Sequence, residues 1–363
     1  MASNTFGTLF KITTWGESHG KAIGVVIDGC PAGLALTEEE INAALAMRSP
    51  GRSPYTSPRK EPDRAEILSG LFEGKTTGAP ICLLILNRDI DSSSYEGVKD
   101  LLKPGHANYT YREKYGIFDY RGGGRASARE TACRVAAGAV AYKLLTAQGI
   151  QLTAYIKEIG AIRADFEEEC IEAMRERARK SPLFCPDAKA AVSMMTLIEE
   201  VKQEGDSLGG VVEFMATSLP VGLGDPVYEK LEAKLAFAMM SLPAAKGFEI
   251  GSGFRSASMR GSTHNDCFSC VEDLVQTETN HAGGILGGIS TGMPLIGKVA
   301  FKPTSSIRLP QKTLTTRNKP ALFELPSGSR HDPCVAIRAV PVVEAMLALV
   351  LADALLMNRC AIL

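Results

Sequence analysis

The sequence predicts one domain that mixes short strands with helices. Three observations carry this. Short β-branched runs alternate with longer stretches whose apolar residues recur at helical spacing. No fixed-period repeat, low-complexity tract or linker divides the 363 residues. A hydrophobic share of 45% with 22% charged residues is that of a globular chain able to bury a large core.

The elements follow in order. Residues 6–12 read as a short strand and 14–20 as a loop, with His19 between Ser18 and Gly20. Residues 22–28 (Ile23, Val25, Val26, Ile27) read as a second strand. Thr37 and Glu40 form a capping box that opens a helix through Met47. Residues 48–60 hold too many prolines for a helix or a central strand, and read as a basic loop, either a surface loop or an anion-binding lid. Residues 67–71 and 80–86 read as strands, the latter buried on both faces. The loop with Asp89, Asp91 and three serines reads as solvated. Lys103-Pro-Gly-His106 places a second histidine in a glycine turn.

Gly122-Gly-Gly-Arg-Ala-Ser-Ala-Arg129 then feeds an Ala-rich run with Val135, Ala136, Ala139, Val140 and Leu144 at helical spacing. A glycine turn at a helix N-terminus offers unpaired N–H groups to an anion. Arg125 and Arg129, four apart, are expected on one face with Ser127 between them. The stretch is no P-loop, since no Gly-Lys-Ser/Thr follows, and no dinucleotide fingerprint leaves a clear strand.

In the second half, 151–159 reads as a strand and 166–179 as a solvated helix of alternating acids and bases. Residues 197–203 read as a helix, 209–218 as a strand and 228–240 as an amphipathic helix. A strand and turn start at Lys246. Glycine-rich residues 280–292 lead into a strand over 295–301. Lys302-Pro-Thr-Ser-Ser306 sets a cation and three hydroxyls at that strand's end, good chemistry for a phosphate. Arg330-His-Asp-Pro-Cys334 precedes 336–338 and an apolar helix over 342–356.

Composition excludes several functions. A formal net charge of −1 argues against nucleic acid. Two basic islands stand out in this neutral chain. Residues 103–134 hold seven Lys or Arg against Glu113, Asp119 and Glu130, and residues 48–64 hold five against Glu61 and Asp63. They point to a small anionic ligand. Nine cysteines lack framework spacing and no signal segment opens the chain, which reads as cytoplasmic with reduced thiols. The Cys267-x-x-Cys270 pair has no second pair, so no metal site is expected. No apolar run is expected to span a bilayer.

Three stretches carry a resemblance. The run from Gly16 to Pro31 (Gly-Glu-Ser-His-Gly-Lys-Ala-Ile-Gly-Val-Val-Ile-Asp-Gly-Cys-Pro) resembles the first signature of chorismate synthases. Gly124-Arg-Ala-Ser-Ala-Arg-Glu-Thr-Ala-Cys-Arg-Val-Ala-Ala-Gly138 resembles the second. Arg330-His-Asp-Pro-Cys-Val-Ala-Ile-Arg-Ala-Val-Pro-Val-Val-Glu344 resembles the third. The likeness runs from near residue 6 to about residue 356.

The resemblance implies an α+β fold, a β-α-β sandwich with antiparallel sheets enclosing helices. It implies that the whole chain, 1–363, forms one domain and assembles as a homotetramer. It implies a lyase that converts 5-enolpyruvylshikimate 3-phosphate to chorismate and phosphate by anti-1,4-elimination, using reduced FMN. His106 resembles the histidine that protonates reduced flavin, His19 the one near the leaving phosphate, and Asp332 a proton relay. Arg125, Ala126, Ser127, Pro243, Ala244, Gly287, Lys302, Pro303, Thr304, Ser305, Ser306 and Arg330 match FMN contacts. Arg48, Arg129, Arg134 and Arg338 match substrate ligands. The two basic islands suit two phosphates, one on the cofactor and one leaving the substrate.

Two departures stand out. Relatives often carry arginine where Pro54 stands, with Arg52 here two residues earlier, and asparagine where Pro243 stands. His264 and His281 read as structural. The compact chain favours an external flavin reductant over a bifunctional form that reduces its own flavin with NADPH. A flavin-binding carrier is disfavoured by the Arg48 island, which a carrier has no use for.

Overall fold

The computed structural model describes residues 3–57, 63–88, 93–166, 170–326, 328 and 331–362. Two five-stranded antiparallel sheets enclose a layer of helices, the expected α+β sandwich. In the first sheet the order is Thr5–Phe6, Lys11–Gly16, Ala22–Asp28, Ile81–Leu86 and Ala65–Ile67. In the second it is Ala245–Ile250, Leu295–Phe301, Gly210–Thr217, Gln151–Ile159 and Ile162–Arg163.

Alternation decides which way the strands face. Ile23, Val25 and Ile27 pair in register with Ile85, Leu83 and Ile81, and all six are wholly buried. On the second sheet Leu295, Val299 and Phe301 point inward in the same way. Each such side chain contributes about 1.5–3 kcal/mol on leaving water.

Between the sheets lie the helices Thr131–Thr146 and Val335–Asn358, packed on each other. Their crossing depends on Gly138, where a Cβ would sit 2.4 Å from the Ala345 Cβ. Glu38–Arg48, with the Thr37–Glu40 capping box in place, and Leu231–Met240 flank them. From the last helix, the buried Asp353 carboxylate accepts the backbone N–H groups of Thr8, Leu9 and Phe10 at 2.9, 2.7 and 2.9 Å.

The structure corrects several expectations. Strand pairing runs through Lys11–Gly16, so the first loop is shorter than residues 14–20. Ile81–Leu86 is covered on one face only, with Leu86 46% exposed. The 166–179 stretch is a helix over Ile171–Lys180 that is not solvated all round. Its Ile171, Met174 and Ala178 pack with Tyr155 and Met215 of the second sheet. Asn108–Tyr115 is helical, ended by Gly116 in the left-handed region.

The last helix starts at Val335 and passes through Pro341 at the cost of one backbone bond. Its 24 residues are long and apolar enough to cross a membrane, contrary to expectation. They are apolar all round because the second sheet and the neighbouring helices cover them. The basic-loop residues 58–62, the Asp89 and Asp91 loop and Arg330 lie outside the described residues.

Candidate active site

A cleft of about 440 Å3 opens where loops from all three sequence signatures converge. It is lined by His19, Arg48, His106, Ala126, Ser127, Arg129, Pro243, Ala244, Lys302 through Ser306, Asp332 and Arg338. Residues from distant stretches of chain thus line one cleft.

The glycine triplet sets this convergence. Gly122, Gly123 and Gly124 all have positive φ, at 63°, 86° and 53°. A Cβ on Gly122 would sit 2.0 Å from the His19 Cε1, and one on Gly123 would sit 3.0 Å from the His106 Cε1. The glycines therefore let the backbone lie against both histidines. They do not open the long helix, which starts at Thr131 after two 3-10 turns.

Those turns also part the two arginines expected on one face. Arg125 turns outward to the Thr14 hydroxyl (2.8 Å), the Gly16 carbonyl (3.1 Å) and Asn4 (3.0 Å). Arg129 turns inward, ion-paired with Asp63 and donating from Nε to Asn87 at 2.8 Å. Arg134 also leaves the cleft, pairing with Glu130 at 2.9 Å and donating to the Ser241 hydroxyl at 2.6 Å. Gly287 sits at a hairpin turn away from it.

Within the cleft, His19 Nδ1 lies 3.1 Å from the Ser18 hydroxyl, and its ring meets Tyr95 edge-on at 5.4 Å. His106 Nδ1 is buried with no hydrogen-bond partner. Burial, with Lys103 and Lys302 adding to it, pushes the His106 pKa down to about 4. The two lysines latch their loops reciprocally: Lys302 Nζ donates to the Gly105 carbonyl at 2.6 Å, and Lys103 Nζ to the Ser306 hydroxyl at 2.5 Å. Burial lowers Lys103 to about 8. Asp332 accepts from the Ser57 N–H (2.8 Å) and from Arg338 (2.9 Å), joining the basic loop to the third signature.

Arg52 does not replace the arginine missing at Pro54. It donates to the carbonyls of Arg179 (2.6 Å) and Ser181 (3.2 Å) at the end of the Ile171–Lys180 helix, and stacks on Phe184 at 3.9 Å. His264 and His281 stack on each other at 5.8 Å, outside the cleft. Sequence reasoning missed Lys103 and Asp63 as site residues. The only signal for either was membership of a basic island.

A larger cavity, about 860 Å3, lies between the N-terminal strand and residues 357–362. None of the expected site residues lines it. The 440 Å3 cleft is the better candidate because it alone of the two is lined by histidines, and it has six arginines and lysines against Lys234 and Arg359 in the other.

The sandwich and its cationic cleft define a class: α+β proteins with a cleft between the loops of two antiparallel sheets whose chemistry suits anionic small molecules. A family model described as chorismate synthase matches residues 10–356. The chain belongs to the chorismate synthase family, whose members are lyases of the shikimate pathway. A chorismate synthase of Protochlamydia amoebophila is 61% identical over 99% of both chains. One from Methanococcoides burtonii is 52% identical, over 97% of this chain and 96% of the other. A crystal structure of chorismate synthase superposes with a TM-score of 0.77 at 36% identity, covering 97% of this chain and 92% of that one.

Proposed function

We propose that this chain, acting as a single domain, converts 5-enolpyruvylshikimate 3-phosphate to chorismate and inorganic phosphate by anti-1,4-elimination with reduced FMN. The observation that carries this is the meeting of His19, His106 and Asp332 with Lys302 through Ser306 in one cleft. The cleft fits a flavin. The buried His106 Nδ1 and the buried Thr304 hydroxyl lack hydrogen-bond partners, and both residues line the cleft, so a polar ring bound there would supply what they are missing.

Reduced FMN, when bound, would supply the transient electron donation that this redox-neutral elimination needs. Lys302, Ser305 and Ser306 would hold the cofactor with Ala126, Ser127, Pro243 and Ala244. Arg125, Gly287 and Arg330 are further contacts by resemblance alone. Arg129 and Arg338 would hold substrate anions, with Arg48 behind them, and Arg134 is a substrate ligand by resemblance alone. His106 would hold a proton at its ring nitrogen, His19 would attend the leaving phosphate, and Asp332, fixed by Ser57 and Arg338, would relay a proton.

Assembly as a homotetramer is supported by the hairpin Phe268–Val271 and Leu274–Thr277, which leaves Phe268, Leu274 and Val275 exposed. Nine free cysteines support a cytoplasmic location. Reduction of the flavin is assigned to an external reductant.

An anaerobic assay of the purified chain with 5-enolpyruvylshikimate 3-phosphate and chemically reduced FMN tests the reading. Equal release of chorismate and phosphate, absent with oxidised FMN, is expected. Flavin binding without turnover would overturn it. Turnover with oxidised FMN and NADPH, and no other reductant, would overturn the external reductant.

A further inference from the structure

Arg48 and Arg129 come from stretches eighty residues apart, yet one buried carboxylate joins them. Asp63 pairs through Oδ2 with Arg48 and through Oδ1 with Arg129, and its side chain is wholly buried. It does not line the cleft, whereas both arginines do. Every nitrogen of the two guanidiniums has a protein acceptor. Arg48 donates to Asp63, to the Thr131 hydroxyl (3.2 Å) and to the Ala128 carbonyl (3.0 Å). Arg129 donates to Asp63, Asn87 (2.8 Å) and the Leu86 carbonyl (3.4 Å).

We propose that Asp63 is a positioning residue that locks Arg48 and Arg129 into one rigid cationic unit with a single excess positive charge. This rests on the cleft being the site of a phosphorylated substrate. Two consequences pull in opposite directions. Without Asp63 the arginines lose the anchor that orients them, so turnover falls. The cleft's floor also gains a positive charge, so anions bind more tightly. A residue that merely held the fold would weaken binding and turnover together.

The test compares Asp63→Asn and Asp63→Ala with the wild-type chain. Two readouts serve: steady-state kinetics, and calorimetric titration with inorganic phosphate. For Asp63→Asn, kcat should fall by roughly 10–100-fold, as for a small misplacement of orienting groups, with KM unchanged or lower. Phosphate should bind roughly threefold tighter or better, the effect of one charge removed a few ångströms away in a water-like dielectric. Added formate should restore part of kcat in Asp63→Ala by supplying a carboxylate. Unchanged kcat, a raised KM with kcat intact, or weaker phosphate binding would each overturn the proposal.

Should Asp63→Asn fail to fold, Asp63→Glu keeps the charge and shifts the carboxylate by one methylene. Its kcat should drop while phosphate affinity stays at the wild-type value, and wild-type kinetics would overturn the proposal. If the wild-type chain itself shows no lyase activity, the function proposed above fails, while the phosphate titration still decides the role of Asp63.

Discussion

His106 should be neutral at pH 7, chiefly through burial, and anions on the two lysines beside it should move its pKa part of the way back. Protein groups alone place its pKa at about 4, with burial the largest cause and Lys103 and Lys302 adding to it. At pH 7 a histidine with that pKa is protonated roughly one time in a thousand, against about a quarter of the time at the ordinary 6.5. Charging it then costs about 4 kcal/mol, a large share of what a proton-transfer group contributes to a rate. A phosphate on Lys103 and Lys302 would cancel their part of this cost and move the pKa up toward 6.5. Nitrogen-15 NMR of histidine-labelled protein, with His106→Gln to identify its resonance among the five histidines, follows this directly. The imidazole should titrate near pH 4 in plain buffer and move upward as inorganic phosphate saturates. Titration at or above 6.5 without phosphate, or no movement with it, would refute the reasoning. Stability follows the same sign. A histidine whose pKa is lowered on folding stabilises the protein above 6.5. That contribution, roughly 3 kcal/mol at most, is lost as the pH falls from 6.5 to about 4.

Replacing His106 by alanine should leave the fold and flavin binding intact and slow turnover by roughly 10²–10⁴-fold, measured in the anaerobic assay. Gly122→Ala should displace His19, since the added Cβ meets its ring at 2.0 Å, and lower turnover in a protein that still folds by circular dichroism. Arg52→Ala should keep turnover within about twofold and cost about 1 kcal/mol in urea unfolding, because its bonds go to helix-end carbonyls. Asp353→Ala strips the acceptor from three N–H groups and should cost about 3–5 kcal/mol by the same measurement.

Strands 22–28, 151–159 and 295–301 were legible to the residue because β-branched runs between turns leave little choice of conformation. Their partners were not, since pairing Ala22–Asp28 with Ile81–Leu86 is a long-range decision that local spacing does not encode. The Ile171–Lys180 helix was misjudged because its charges mask a thin apolar stripe of Ile171, Met174 and Ala178. At the site, the family signatures supplied His19, Ala126, Ser127, Arg129, Asp332 and Arg338 of the cleft's lining. The face shared by Arg125 and Arg129 failed because a spacing of four implies a common face only in an α-helix, and this backbone makes 3-10 turns. Asp63 was passed over because an acid ending a basic loop looks like surface charge until the fold buries it.

The carboxylate of Asp353 also times the chain's maturation. Its partners at Thr8, Leu9 and Phe10 leave the ribosome 345 residues earlier. At 5–20 residues per second, those amides wait roughly 17–70 s for their acceptor to be synthesised. The first sheet's entry loop can therefore settle only after residue 353 has been synthesised. A chain truncated before residue 353 should leave its N-terminus open to proteases and chaperones.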